Sequence, residues 1–111
     1  MSGQAFVDRF RSLPTARVLG IDVPVATTRE ARLLGLALLD RADAPEGLLI
    51  PDCRTVHTFG MRFVLDLIFL GADGTTLERR PGIPPARFAR CAAASAVVEL
   101  PSAAPARGEG E

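Results

Sequence analysis

"CRTVHTFGMRFVLDLIFL", residues 53–70, carries the one histidine of the chain and ends in eight residues, 63–70, of which seven are apolar. The exception is Asp66. Between Gly60 and Gly71, the residues Met61, Phe63, Leu65, Leu67 and Phe69 fall on one face of an extended chain, and Arg62, Val64, Asp66, Ile68 and Leu70 on the other. Both faces are largely apolar, the pattern of a strand covered on two sides. This strand is therefore the expected centre of the fold, and Asp66 its anomaly. A carboxylate left unpaired in a dry core is strongly unfavourable, so Asp66 must be paired, hydrogen-bonded, protonated or wet. Gly60, read as a bulge residue, flips the alternation before it and sets His57, Arg62 and Asp66 in one polar row. In the plainer reading Asp66 is architectural and accepts hydrogen bonds from backbone amides of a crossing loop, with Arg62 or Arg87 close by. In the functional reading it is the buried end of a pocket wall with His57 at the mouth. In a third, the strand is an edge and Asp66 faces water.

Working outward, Asp73-Gly74 supplies a hairpin turn and "TTLERR", 75–80, the partner strand. "PGIPPARFA", 81–89, holds three prolines and is expected to be irregular or edge-like. "AVVEL", 96–100, reads as a last strand, and "LLI", 48–50, as a short buried one after the turn material of "DRADAPEG". Thr27 and Glu30 form the T-x-x-E pattern of a capping box. The helix they open has Ala31, Leu34 and Leu38 on one face and runs to about Leu39, with Gly35 weakening its middle. "RVLGIDVPV", 17–25, alternates as one strand that Pro24 limits to an edge. Phe6 and Phe10 suggest a short amphipathic helix before it. These elements predict a mainly β (α+β) fold of about five antiparallel strands, a small sandwich or partly closed barrel with one short helix near residues 28–39.

At 111 residues one domain is expected. The apolar content, 48%, excludes disorder by composition, and no apolar run approaches the roughly 18 residues of a membrane span. The first residues lack the apolar region of a signal peptide. The net charge of zero argues against a nucleic-acid binder, and the absence of Trp and Tyr weakens any case for stacking on bases or sugars. All 13 basic residues are arginine, scattered as compositional bias would scatter them. Cys53 and Cys91 stand in no CxxC pair, so they are expected to be reduced and buried, with no metal and no cofactor. A cytoplasmic protein, monomer or weak dimer, with no nucleic-acid or membrane partner, is the expectation.

"RLLGL" at 32–36, the block at 48–70, "DG" at 73–74, "PPARFARC" at 84–91 and "VVELP" at 97–101, in this order, resemble the DUF192 family of small uncharacterised bacterial and archaeal domains. The resemblance covers residues 17–101, flanked by an N-terminal extension over 1–16 and a flexible tail over 102–111. It implies a compact β-barrel or jelly-roll-like domain with a short helix. It implies no activity and no catalytic residues, only the motif positions His57, Met61 and Asp66. The chain departs from the family pattern at Val64, usually proline, and at Gly71, often acidic. Its tail lacks the Gly-Asp turn into a further strand, which is expected to leave a sheet edge open.

The binding candidates are therefore His57, Arg62, Asp66 and Arg87, the last in an arginine-rich proline loop that can aim guanidinium groups at an anion. The expected function is a non-catalytic binding module for a small molecule or a peptide segment. The alternatives are a hydrolase using His57 with Asp66 or Cys53, and an assembly module pairing through the open edge.

Overall fold

The computed structural model describes residues 8–103. Phe6, the expected partner of Phe10, lies outside that range, as does most of the tail. Among the described residues eight strands are present: β1 (Thr15–Val18), β2 (Ile21–Pro24), β3 (Leu48–Pro51), β4 (Thr55–His57), β5 (Leu65–Leu70), β6 (Thr76–Ile83), β7 (Phe88–Arg90) and β8 (Ala96–Pro101). Residues 8–10 are helical, and the helix α1 (Arg29–Leu34) is followed by a 3-10 turn at Arg41–Asp43. The main sheet is antiparallel in the order β3-β8-β5-β6, and β1-β2 and β4-β7 form two further antiparallel pairs. The fold is mainly β, as expected, and among the described residues it closes into no barrel. No helix in that range is long and apolar enough to cross a membrane.

The alternation along β5 builds the core. Leu65, Leu67 and Phe69 join Met61, Ile50, Val56, Val97 and the residues Ala31, Leu36, Ala37 and Leu39 in the larger cluster, with Phe63 packed against it. Ile68 and Leu70 join Val98 on the opposite face, where Val18, Leu49, Ala96 and Leu100 cover them. Each buried leucine or phenylalanine contributes about 1.5–3 kcal/mol relative to exposure, so this one strand anchors both layers.

The boundaries differ from expectation where single residues bend the chain. Residues 17–25 are not one strand. They fold back at Leu19 and Gly20, both at positive φ (54° and 81°), into the hairpin β1-β2. A two-residue hairpin loop needs that backbone hand, and leucine conceals it because Asn or Asp usually announces it. The cap of α1 is Thr28, whose Oγ1 accepts the Ala31 N–H at 3.1 Å, so the Thr27–Glu30 capping box does not form. Gly35 does not weaken the helix but ends it, at φ 53° and ψ −125°. Residues 36–39 are non-helical yet bury Leu36, Ala37 and Leu39.

Gly60 is no bulge. At φ 82° it sits in a turn closed by the Met61 N–H on Thr58 O at 3.2 Å. The chain turns there, and His57 and Asp66 belong to different sheets. The bulge lies instead on β6. Leu65 faces Ile83 and Leu67 faces Arg80, so two steps on β5 oppose three on β6. Asp66 lies at that irregularity and its Oδ1 accepts the Gly82 N–H at 2.9 Å. A half-buried carboxylate serving a backbone amide of the adjacent strand is the architectural reading of Asp66.

Thr58, 1% exposed, fastens the proline loop to the fold. Its Oγ1 accepts the Arg87 N–H at 2.8 Å and donates to Pro84 O at 2.7 Å, while its backbone exchanges bonds with Arg87 and Ala86. Thr58→Val keeps the shape and strands one buried donor and one acceptor. A loss of about 2 kcal/mol is expected, seen as a Tm lower by roughly 10 °C, with Thr58→Ser nearly unchanged. Equal melting of Thr58→Val and wild type would refute the role.

Candidate functional site

The anomalous carboxyl group of the core is on β8. Glu99 sits in register with Leu48 of β3 on one side and Leu67 of β5 on the other, and is 3% exposed. Cross-strand neighbours point to the same face, so Glu99 projects with those leucines and Val97 toward the larger core cluster. Its Oε1 accepts the Leu36 N–H at 3.3 Å. Its Oε2 has no hydrogen-bond partner among the described residues. Burial pushes the Glu99 carboxyl up to about 7, against the smaller opposing effect of the Leu36 amide.

Gly35 makes this placement possible. A Cβ at position 35 would lie 2.6 Å from Glu99 Oε1, so only glycine lets the helix end approach the carboxyl group. Arg9 holds the same segment from the other side, donating from Nη1 to Gly35 O at 3.0 Å and Ala37 O at 2.8 Å. Residues 35–37 are thus gripped through carbonyls by a buried guanidinium and through an amide by a buried carboxyl group.

Glu99 lies at the inner end of a cleft of about 40 Å³ between α1 and β4, lined also by Arg32, Leu33, Leu34, Gly35, Ile50, Cys53, Thr55, Val56 and His57. That volume holds a few water-sized groups. Two shallow depressions share Arg32, Cys53 and Thr55 with it and add Arg54 on one side and Arg29 on the other. Arg32 ties α1 to the end of β3 by donating to Pro51 O and to Asp52 O.

The other polar groups of the cleft are engaged. His57 Nδ1 accepts the Phe59 N–H at 3.3 Å, so the ring proton is on Nε2, which donates to Leu33 O at 3.1 Å. Cys53 donates its S–H to Thr55 O at 3.3 Å, and burial raises the thiol above its usual range, which keeps it protonated. Cys53 and Cys91 are both free thiols.

The polar row expected from the sequence does not assemble. Arg62 pairs with Asp40 at 3.0 Å on the surface, and Asp66 serves Gly82. Arg87 is exposed and its guanidinium reaches only Ala86 O, at 3.4 Å. The arginine-rich loop also engages local acceptors. Arg80 pairs with Glu78, donates to Arg90 O at 2.7 Å and lies over the Phe69 ring, and Arg90 donates to Thr55 Oγ1 at 3.3 Å. Of the four candidates only His57 borders the cleft. Among the described residues no group of three His, Cys, Asp or Glu side chains is arranged to hold a metal ion.

The family model of DUF192, described as "Uncharacterized ACR", matches residues 13–107. The chain belongs to the DUF192 family. A comparison with curated proteins finds no match. This DUF192 domain is similar to a protein of unknown function from Novosphingobium aromaticivorans DSM 12444, whose crystal structure was determined at 1.22 Å resolution. The TM-score is 0.58 at 17% identity, over 87% of this chain and 86% of that one, a likeness of fold alone. In the DUF192 domain described here, Glu99 was legible in principle. "AVVEL" is a strand whose faces are otherwise apolar, so the reasoning that singled out Asp66 applies to it with equal force. The apolar run that holds Glu99 is shorter than the one that holds Asp66, so its anomaly is weaker in the sequence.

Proposed function

We propose that this DUF192 domain is a non-catalytic binding module that takes a small molecule in the cleft between α1 and β4. The observation that carries the reading is Glu99 Oε2, an oxygen of a 3% exposed side chain on the central strand that borders the cleft and has no hydrogen-bond partner among the described residues. Buried polar groups are nearly always satisfied, and one left open in a cavity suits a ligand or water. The engaged atoms around it favour binding over hydrolysis. Both nitrogens of His57 are held by backbone and the Cys53 thiol is protonated, so neither a free base nor an activated nucleophile stands in the cleft. Assembly through an open edge is less favoured, because β6 carries Pro81 and the bulge at Gly82, features that blunt strand pairing. Two free cysteines suit a reducing compartment, and the proposal places the domain in the cytoplasm.

A thermal-shift screen of small acids, amines and neutral compounds tests the reading, since a ligand of the native state must raise Tm. Thr55→Trp, at an exposed position on the lip of the cleft, is the control. A compound that stabilises the wild type is expected to leave Thr55→Trp unmoved. A screen without hits, or hits that survive the occluded lip, would remove the cleft as the site.

A further inference from the structure

We infer that the cleft takes the head group of a small organic carboxylate, held by a hydrogen bond from a protonated Glu99, so that binding is coupled to a proton. The inference rests on the cleft being the binding site and names the class of its ligand. Three observations carry it. First, the rim is net cationic: Arg29, Arg32 and Arg54, against the single carboxylate of Asp52, border the cleft mouth or the depressions continuous with it. An anion is drawn to such a rim and a cation is repelled. Second, the inner end offers one open polar group, Glu99 Oε2, because Leu36 N–H occupies Oε1 and the nearby His57 and Cys53 have their own partners. Third, the volume of about 40 Å³ admits a head group of a few heavy atoms and leaves the rest of the ligand at the rim.

An ionised Glu99 would repel a carboxylate at hydrogen-bonding distance, whereas a protonated one donates to it, and two carboxyl groups sharing one proton form a short, strong contact. The groups facing Glu99 permit this. Cys53 from the β3-β4 connection stays a neutral thiol, and His57 from β4 turns both nitrogens to backbone. Arg32 on α1 borders the cleft, and Arg9 stands on the far side of the Gly35–Ala37 segment. Leu48 and Leu67 flank Glu99 in the sheet and contribute no charge. The balance is simple. Below about pH 7 the proton is already on Glu99 and the ligand enters as its anion. Above it, one proton is taken up from solvent for each ligand bound.

Acetate, propionate and butyrate are the probes, with methylamine as the cationic counterpart, followed by the amide signals of Gly35 and Leu36 in NMR titrations up to about 100 mM, enough for a millimolar Kd. A carboxylate is expected to shift both signals, with affinity falling about tenfold between roughly pH 6 and pH 8, as the protonated fraction of a group titrating near 7 does. Calorimetry in buffers of different ionisation heat is expected to show proton uptake above pH 7. Glu99→Gln supplies a neutral donor at every pH and is expected to bind with no pH dependence. Tighter binding at higher pH, a response to methylamine alone, or a pH dependence that persists in Glu99→Gln would overturn the carboxylate assignment while leaving the cleft as a site. Silence of both amides toward every probe would overturn the assignment. If the broader screen still found a cleft ligand, the reading of the site would survive it.

Discussion

Gly35→Ala is expected to destabilise the domain by about 3 kcal/mol and to lower Tm by roughly 15 °C. Two effects add at this position. The backbone, at φ 53° and ψ −125°, lies where a side chain is strained by about 1–3 kcal/mol. The new Cβ would also stand 2.6 Å from Glu99 Oε1, a separation that real Cβ atoms do not show. With its Cα fixed between Leu48 and Leu67, Glu99 yields only by turning its carboxyl group within a buried site and giving up the Leu36 N–H. Gly20 separates the two effects. It has φ 81° and nothing within 4 Å of its built Cβ, so Gly20→Ala should show strain alone, about 1 kcal/mol. Chemical denaturation of both variants gives the comparison. If Gly35→Ala unfolds no more easily than Gly20→Ala, the close approach of the helix end to Glu99 is refuted.

The second large effect is a dependence of stability on pH that runs opposite to the usual carboxylate. Burial raises the Glu99 carboxyl to about 7 in the folded protein, against 4.5 for the solvated side chain of the unfolded chain. Between those values the folded chain binds the extra proton, so stability is full below about pH 4.5 and declines as pH rises to about 7. By linkage the loss amounts to about 3 kcal/mol, a substantial part of what a small domain has. Glu99→Gln, which is neutral throughout, should remove this slope and exceed the wild type in stability at pH 8. Urea midpoints measured from pH 4.5 to 8 are the check, and parallel curves for the two proteins would contradict it. Asp73 and Glu78 do not obscure the window. Their carboxyls are lowered, by Thr75 and by Arg80 respectively, so their contributions vanish only at more acidic pH and are screened by solvent.

What could be read from the amino acids follows the length of the periodic signal. β5 shows six alternating residues between covered faces, and its two clusters separate as the alternation predicts. The Asp73-Gly74 turn and the strands on either side announce themselves by composition. β4 and β7 have three residues each, too few for a period of two to emerge. The hairpin at Leu19 and Gly20 and the helix end at Gly35 depend on backbone hand. A glycine signals that hand only ambiguously, since it also fits a bulge, a strained helix or a turn. The architectural role of Asp66 was accessible because a carboxylate in an apolar strand demands a donor. Its partner, the amide of Gly82, was not, because it depends on a register shift in β6. The cleft is built from α1, β3, β4 and β8, and no local pattern links residues 32, 53, 57 and 99.

The central position of β8 bears on how the domain is made. Translation delivers β3 and β5 before the strand that lies between them, and until Ala96–Pro101 emerges neither has its inner neighbour. Pairing over such a separation in sequence is slow to nucleate. A nascent chain therefore exposes two unpaired strand edges to its surroundings, the condition in which holding chaperones matter most. Glu99 arrives with β8, so the event that completes the sheet also installs the floor of the cleft, and a chain that stops before Ala96 lacks that carboxyl group.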